Sequence, residues 1–544
     1  MLREDKNRQS RRDAYVLLLV IVMCVTAGRI CTVTSKERDT AFLSANDRSR
    51  WCTVASLVED GTYEIDRILE LKSDKGRRTW YTIDLVRHRG EDGEQHFYSS
   101  KPPLYPTMVA GVYWLVHKAT RLRMTEQPIY VPRIVLLCVN LPLLFLFCWC
   151  TIASMDLIAA GEWSRRLGAA MVCFGTMVTP FAISLNNHLP AAAATAVVMY
   201  FYLKWGEVLD DESDFKISAF PVRTWLIAGI AGGFTAANEL PALSMLVFWI
   251  VLIGWLNLRS AAWFVAGIAI VAAAFFATNY IAHNQLRPAY AHRDNGPVIA
   301  TIARGDKPSD QVIGDALAEL DQPLFGGHLV AEISSDVTVQ PSGEAGRWRV
   351  VTADNQLFAL NRIGPDNASA QWVLSHWDDW YDYPGSYWND GNRKGVDKGE
   401  PSRLIYFANM TIGHYGIFSI TPIWFLVPFG LYLGLAYGPP DYRRLVIAIA
   451  LATVVCLVFY LLRPQIDRNY GGVSSCFRWM LWFAPLWLLV IAPLLDKWSE
   501  QFDRRVILLA LLGMSVFSMS ISLDNPWQHP WIYRFWDFLG WIAK

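Results

Sequence analysis

The sequence predicts an α-helical integral membrane protein, a bundle of about 11–12 transmembrane helices with a small extracytoplasmic mixed α/β insert. Two compositional features point there: 53% of the 544 residues are hydrophobic, with a positive mean hydropathy, and only 18% are charged. The third is a succession of apolar runs near the about 20 residues that cross a bilayer.

The first run, about 14–33, follows Arg3, Lys6, Arg8, Arg11 and Arg12 and ends in no small-x-small cleavage site. It reads as an uncleaved first helix with a cytoplasmic N-terminus. Further runs lie at about 132–152, 166–185, 189–205, 222–237, 240–256, 260–282, 416–437, 445–462, 477–495 and 506–522. The stretch at 103–117 is shorter and carries Pro106. If it lies at the interface or enters halfway, Arg165, Arg166, Arg259, Arg443, Arg444, Arg504 and Arg505 fall on the cytoplasmic side, as the positive-inside rule expects. That map leaves Lys118, Arg121 and Arg123 outside.

The expected organisation is a transmembrane core over 1–282 containing a first extracytoplasmic loop at 34–101, an extracytoplasmic insert over 283–415, and C-terminal helices over 416–544. The insert is too long for a plain connector. Residues 328–338 and 348–360 carry β-type side chains, separated by a Pro341-Ser342-Gly343 turn. The run from Trp377 to Trp388 is aromatic and acidic, suited to a membrane interface or a sugar-stacking surface. Asp378, Asp379 and Asp382 read as a solvated acidic rim, with a metal site as the alternative.

Lys and Arg together number 49, as do Asp and Glu, so no basic excess suits a nucleic-acid partner. Seven of the nine cysteines sit inside apolar runs, where cysteine packs as a small hydrophobe, and no CxxC or His/Cys spacing suggests zinc. No cofactor is implied, and a requirement for a divalent cation stays open.

Two motifs flank the first loop. Ala45-Asn46-Asp47-Arg48-Ser49-Arg50-Trp51 follows the first helix, and Ser100-Lys101-Pro102-Pro103-Leu104 opens the next apolar stretch. An acid and a lysine so placed put a base and a phosphate-binding cation at one membrane surface, which suggests chemistry on a lipid-linked substrate. Read without function, Asp47 is a helix cap and Lys101 an interfacial lysine, although two prolines limit where that lysine can reach.

Asn186-Asn187-His188 stands between two apolar runs and reads either as a tight turn or as a site element. Glu239 also lies between two runs, where an ionisable group is costly and often functional. His414-Tyr415-Gly416 and Tyr470-Gly471-Gly472 precede later helices, with Arg478 placed to meet an anionic headgroup.

These motifs resemble the GT-C superfamily of polytopic membrane glycosyltransferases, in particular the bacterial branch similar to lipid A aminoarabinose transferases and protein O-mannosyltransferases. Asp47-Arg48-Ser49-Arg50 is similar to that branch's Asp/Glu-x-x-Arg element, with Asn46 where a second carboxylate is frequent, and Lys101-Pro102-Pro103-Leu104 to its Lys-Pro-Pro-Leu element. Tyr470-Gly471-Gly472 to Arg478 is similar to a Gly-Gly...Arg-Tyr element, with Trp479 in place of Tyr.

The resemblance implies a polyprenyl-phosphate-linked sugar donor and an acceptor that is lipid, protein or polysaccharide. It implies a bacterial inner-membrane location with the site on the extracytoplasmic face. Asp47 is then the catalytic carboxylate and Lys101 binds donor phosphate with help from Arg50. Asn187, His188, Glu239, His414, Tyr470 and Arg478 complete the expected substrate site. The resemblance covers the membrane core and not the insert.

Two other functions fit a polytopic bundle. A polysaccharide or lipid-glycan ligase would use a pyrophosphate-linked glycan and place its groups similarly. A lipid or glycan transporter predicts inverted repeats with paired broken helices, and only one Pro-containing half-helix, near residue 106, is present.

Overall fold

A computed structural model describes residues 2–210, 222–319, 333–342, 346–354, 356–364, 370–389 and 391–542. Parts of the sequence reading, residues 328–332 and Gly343, lie outside them. The chain forms two compact units: Met1–Val58 with Tyr105–Phe275 and Lys394–Lys544, and Glu59–Leu104 with Phe276–Arg393.

Among the described residues six helices are long and apolar enough to cross a membrane: Asn7–Thr32, Tyr130–Ile158, Leu258–His283, Pro440–Leu462, Arg478–Ser499 and Phe502–Ser522. Leu240–Leu256 and Pro422–Tyr437 are apolar but shorter. Helices also form at His188–Asp210 and Val222–Asn238. The chain is an integral membrane protein.

Burial sorts these helices. The window in Arg478–Ser499 is 83% buried, against 17% in Asn7–Thr32, so the former is the bundle's core and the latter part of its rim. Val16, Leu17 and Val20 on the rim helix are exposed. Apolar side chains facing outward are stable where lipid replaces water.

The run expected at 166–185 is not one helix. Glu162–Phe174 ends at Gly175, and only the short Val178–Phe181 turn follows. Pro180 has no N–H, and its ring would clash with the Thr176 carbonyl if the helix continued. Residues 182–187 therefore leave helical geometry inside the bundle, with Ser184 and Asn186 buried.

The run at 416–437 is likewise broken into Ile417–Ile420, a 3₁₀ turn Pro422–Leu426 and Val427–Tyr437. The stretch after Lys101 is one helix, Leu104–Thr120. Pro106 is tolerated there because the N–H groups of a first turn have no helical partner.

Arg11, Asp156, Glu162 and Arg165 form a cluster of ion pairs, and Arg505 lies 5.3 Å over Trp163. Arg11 of the first span, Arg165 of the Glu162–Phe174 helix and Arg505 of the final span are thus gathered, with Asp156 of the second span, at one end of this unit.

The second unit contains a hairpin of β1 (Leu85–Arg89) and β2 (Gln95–Ser99). It also contains a five-stranded antiparallel sheet of β3 (Arg293–Arg304), β4 (Val337–Pro341), β5 (Arg347–Thr352), β6 (Leu357–Ile363) and β7 (Gln371–Asp379), ordered β3-β7-β6-β5-β4. The Asp310–Ala318 helix, capped by Ser309, packs Ile313 and Leu317 on Val337, Val350, Phe358, Leu360, Trp372 and Leu374.

The aspartates of the aromatic run are not a solvated rim. Asp378 is buried and paired with Arg287 and His292, Asp379 pairs with Arg347 at 2.9 Å, and Asp382 with Arg349. Each partner is distant in sequence, so the charge run alone could not reveal the pairing.

Two helices of the bundle cross at glycine. A Cβ on Gly229 would lie 1.9 Å from the Phe264 carbonyl oxygen, and one on Gly267 2.3 Å from that of Leu226. Small residues allow such backbone approach between helices in lipid. Gly229→Ala is expected to cost about 1–3 kcal/mol, seen as a lower thermal unfolding midpoint in detergent. An unchanged midpoint would show that the helices do not meet there.

Candidate functional site

The Ala45–Glu59 helix begins with a capping box. Ser44 Oγ accepts from the Asp47 N–H at 3.0 Å, and Asp47 Oδ1 accepts in return from the Ser44 N–H at 3.0 Å. Asp47 Oδ2 accepts from the Leu43 N–H at 2.9 Å. The carboxylate is fully buried, and that burial pushes its pKa up to about 6 against the pull of these N–H groups and of Arg48. The helix-cap arrangement for Asp47 is thus present.

Three residues on, Arg50 is also buried. Its Nη1 donates to the Asn46 carbonyl at 3.0 Å and to the Asn46 side chain, one helical turn back. Its Nη2 donates to Asn187 Oδ1 at 2.8 Å.

The polar triplet divides its work. Asn186 Oδ1 accepts from the N–H groups of His188 and Leu189, at 2.9 and 3.2 Å, capping the His188–Asp210 helix. Asn187 turns to the site, where Nδ2 donates to Glu239 Oε1 at 2.7 Å and to the Asn238 carbonyl at 2.8 Å. Both ends of this amide are used, which fixes its orientation.

His188 completes the chain. Its Nε2 lies 2.6 Å from Arg478 Nη1, and Nδ1 bonds Glu239 Oε1. Because a guanidinium only donates, Nε2 must accept, so the proton sits on Nδ1 and is donated to the carboxylate. The ring is neutral in this arrangement. Glu239 Oε1 then accepts two hydrogen bonds, which favours its charged form. Burial works the other way, raising the Glu239 carboxyl to about 8 against the pull of Arg478 and Arg50.

Arg478 is fixed twice more. Nε donates to the Gly471 carbonyl at 2.7 Å, and the guanidinium lies 4.8 Å over Trp527. Gly471 has φ +91°, and a Cβ there would lie 2.5 Å from Arg478 Nε, so a side chain at 471 would displace the arginine.

Beyond Gly471, Tyr470 stacks on Tyr415 at 4.4 Å and donates to Glu400 at 3.2 Å. His414 meets the edges of Tyr470, Tyr415, Tyr533 and Trp536. Burial pushes the His414 imidazole down to about 4, so it is neutral at pH 7.

The structure therefore brings Arg50, Asn187, Glu239, His188 and Arg478 into one hydrogen-bonded chain, with Tyr470 and His414 adjoining it through Gly471. Lys101 belongs to the second unit, where its Nζ pairs with Asp84 at 3.0 Å. Among the described residues no cluster of three His, Cys, Asp or Glu side chains is arranged to hold a metal.

The sequence reading gives no site role to Asn46, Asp84, Trp527 or Tyr105. Asn46 had a usable signal, its i,i+4 spacing to Arg50, whereas Asp84 and Trp527 had none. Tyr105, directly after the Lys-Pro-Pro-Leu element, is buried near enough for the Arg50 charge to act on it. Its hydroxyl has no hydrogen-bond partner among the described residues.

No protein-family model and no curated protein matches the sequence. Among solved structures the chain is similar to the Saccharomyces cerevisiae protein O-mannosyltransferase Pmt1-Pmt2 complex bound to the sugar donor: 12% identity, 97% of this chain and 92% of that chain, TM-score 0.41. It is also similar to the Archaeoglobus fulgidus oligosaccharyltransferase tethered with an acceptor peptide, at 10% identity and TM-score 0.42, covering 97% of this chain and 57% of that one. The same archaeal enzyme, AglB, with an inhibitory peptide and a dolichol-phosphate gives 11% identity, the same coverage and TM-score 0.42. At these identities and scores, function has to be read from the residues.

Asn187→Leu keeps most of the side-chain volume but removes the link between Arg50 and Glu239. Loss of these buried, charge-assisted bonds is expected to destabilise the protein by about 1.5–3 kcal/mol. In a double-mutant cycle with Glu239→Gln by thermal unfolding, the two effects should be strongly non-additive. Simple additivity would mean that the amide and carboxylate act independently.

Proposed function

We propose that the chain is a membrane glycosyltransferase. It moves a sugar from a polyprenyl-phosphate donor to an acceptor on the extracytoplasmic face of a bacterial inner membrane. The observation that supports this best is the polar chain holding two buried arginines in place, one of them on the helix that bears Asp47. Fixed cations of this kind favour an anionic group, and the departing phosphate is the anion this reaction generates. The resemblance of the Asp47-x-x-Arg50 and Lys101-Pro-Pro-Leu104 elements to the GT-C motifs supports the same reading.

In the proposed step an acceptor hydroxyl attacks the anomeric carbon of the donor sugar. The bond from that carbon to the phosphate oxygen breaks, its electron pair leaving with the phosphate, and the hydroxyl proton passes to Asp47. A carboxylate has about four lone-pair sites, so capping and proton acceptance by Asp47 are compatible. The backbone N–H groups that cap the helix also hold the base in position. Oδ2 is covered in this structure, so the acceptor must open a path to it.

Arg50 holds the donor phosphate and Arg478 adds a second positive charge, while the resemblance of the Lys-Pro-Pro-Leu element assigns donor-phosphate binding to Lys101 as well. Asn187, His188 and Glu239 orient the arginines, and Tyr470 and His414 shape the substrate site. The donor sugar and a lipid, protein or polysaccharide acceptor are the implied partners, with membrane lipid around them.

Release of polyprenyl phosphate from a panel of polyprenyl-phosphate sugars, with crude envelope as acceptor, tests this reading. Asp47→Asn should lower turnover about 10²- to 10⁴-fold while donor still binds. Lys101→Ala should weaken donor binding. With a base whose pKa is about 6, kcat/KM should fall as pH drops below that value, because protonated Asp47 cannot accept the hydroxyl proton. Consumption of no donor by the natural chain would favour the ligase or transporter function.

A further inference from the structure

The unit formed by residues 59–104 and 276–393 contains a cavity of about 650 Å³, within the about 300–1,000 Å³ range of ligand pockets. Its wall combines aromatic groups, among them His376, Trp377 and Trp380, with carboxylates and arginines. None of these residues belongs to the polar chain that holds Arg50 and Arg478.

Much of the charge in this wall is already neutralised internally. Asp378 is paired with Arg287 and His292, Asp379 with Arg347, and Asp382 with Arg349. The lining carries Arg87, Arg89 and Arg349 against Glu94, Asp354, Asp378, Asp379 and Asp382, so it offers no cationic surplus that would favour a phosphate.

Among the unanswered polar atoms of the wall are two carbonyl-type acceptors, on Gln356 and Asp382. Gln356 is 5% exposed and lines the cavity; its Nε2 donates to Asp354, which fixes the amide, and its Oε1 accepts no hydrogen bond among the described residues. Asp382 also lines the cavity, with its side chain 6% exposed, and its Oδ2 is likewise without a partner there. Buried acceptors without donors are costly, and a ligand carrying O–H groups would satisfy them.

The aromatic wall is rigid. Trp380 is stacked at 3.6 Å on His292 and lies 4.1 Å from His88, which is itself stacked on Tyr98. A preorganised wall binds without paying to order itself.

We propose that this cavity binds a neutral saccharide. Sugar hydroxyls supply donors to Gln356 Oε1 and Asp382 Oδ2, and the C–H faces of the ring pack on the aromatic wall. No residue lining the cavity is assigned a part in the transfer chemistry, and binding here does not depend on that reaction.

The test uses the full chain in lipid nanodiscs, because alkyl-glycoside detergents would themselves compete. Saturation-transfer difference NMR is recorded with neutral gluco-, manno-, galacto- and N-acetylglucosamine trisaccharides, and with inorganic phosphate and a lysine-rich peptide as contrasting probes. At least one trisaccharide should bind at millimolar concentration. Gln356→Leu should weaken it roughly tenfold, the weight of one hydrogen bond, and His376→Ala should weaken it through the lost ring contact, with an unchanged thermal midpoint as the check on folding. Binding of no trisaccharide, binding unaffected in both folded variants, or binding of phosphate or peptide alone would overturn the proposal.

Discussion

Two buried guanidinium groups, Arg50 and Arg478, meet one carboxylate through an amide and an imidazole, and four separate chain segments depend on keeping that connection closed. Arg50 comes from the helix after the first span, Asn187 and His188 from a break between helices, Glu239 from the next break, and Arg478 from the head of the most buried helix. Removing one member strands a charge where little water can reach it, and such orphaned groups cost several kcal/mol. The network thus ties function to folding, since the residues that position the cations also hold the helix ends together.

The local backbone follows from this need. Helices stop short at Gly175 and Asn238, and the freed residues carry polar side chains inward rather than to the surface. Asn186 caps the next helix, Gly471 yields space for Arg478, and the capping box of Ser44 and Asp47 fixes the register of the helix bearing Arg50. Irregular backbone within a bundle is stable only where its polar groups are satisfied by protein; here Asn140 donates to the Ala182 and Ser184 carbonyls, Asn186 to those of Phe181 and Ser184, and Asn187 to that of Asn238.

Much of this was legible in the sequence, because a polar residue flanked by apolar runs stands out. Arg50, Asn187, His188, Glu239 and Arg478 were all visible as interruptions of hydrophobic pattern. What periodicity could not show was which neighbour does which job. Asn186 and Asn187 are identical in composition and adjacent, yet one caps a helix and the other enters the site, a division set by tertiary packing. The expected span at 166–185 failed for a local reason, Pro180, that hydropathy averaging conceals. In the insert, the expected 348–360 strand region is divided between β5 (Arg347–Thr352) and β6 (Leu357–Ile363), each of which runs past its bounds. Strand β7 is not singled out by the sequence; only its last residues, Trp377–Asp379, fall in the run that reads as an aromatic surface, and Asp378 and Asp379 find their partners at Arg287, His292 and Arg347, far along the chain.

The central claim is that the arginine-bearing chain receives the donor's phosphate. The most direct test is a structure of the protein with polyprenyl phosphate bound. The account predicts the phosphate group within hydrogen-bonding distance of Arg50 or Arg478, beside Tyr105, with Asn187, Glu239 and His188 still connected. A phosphate held away from both arginines would contradict it.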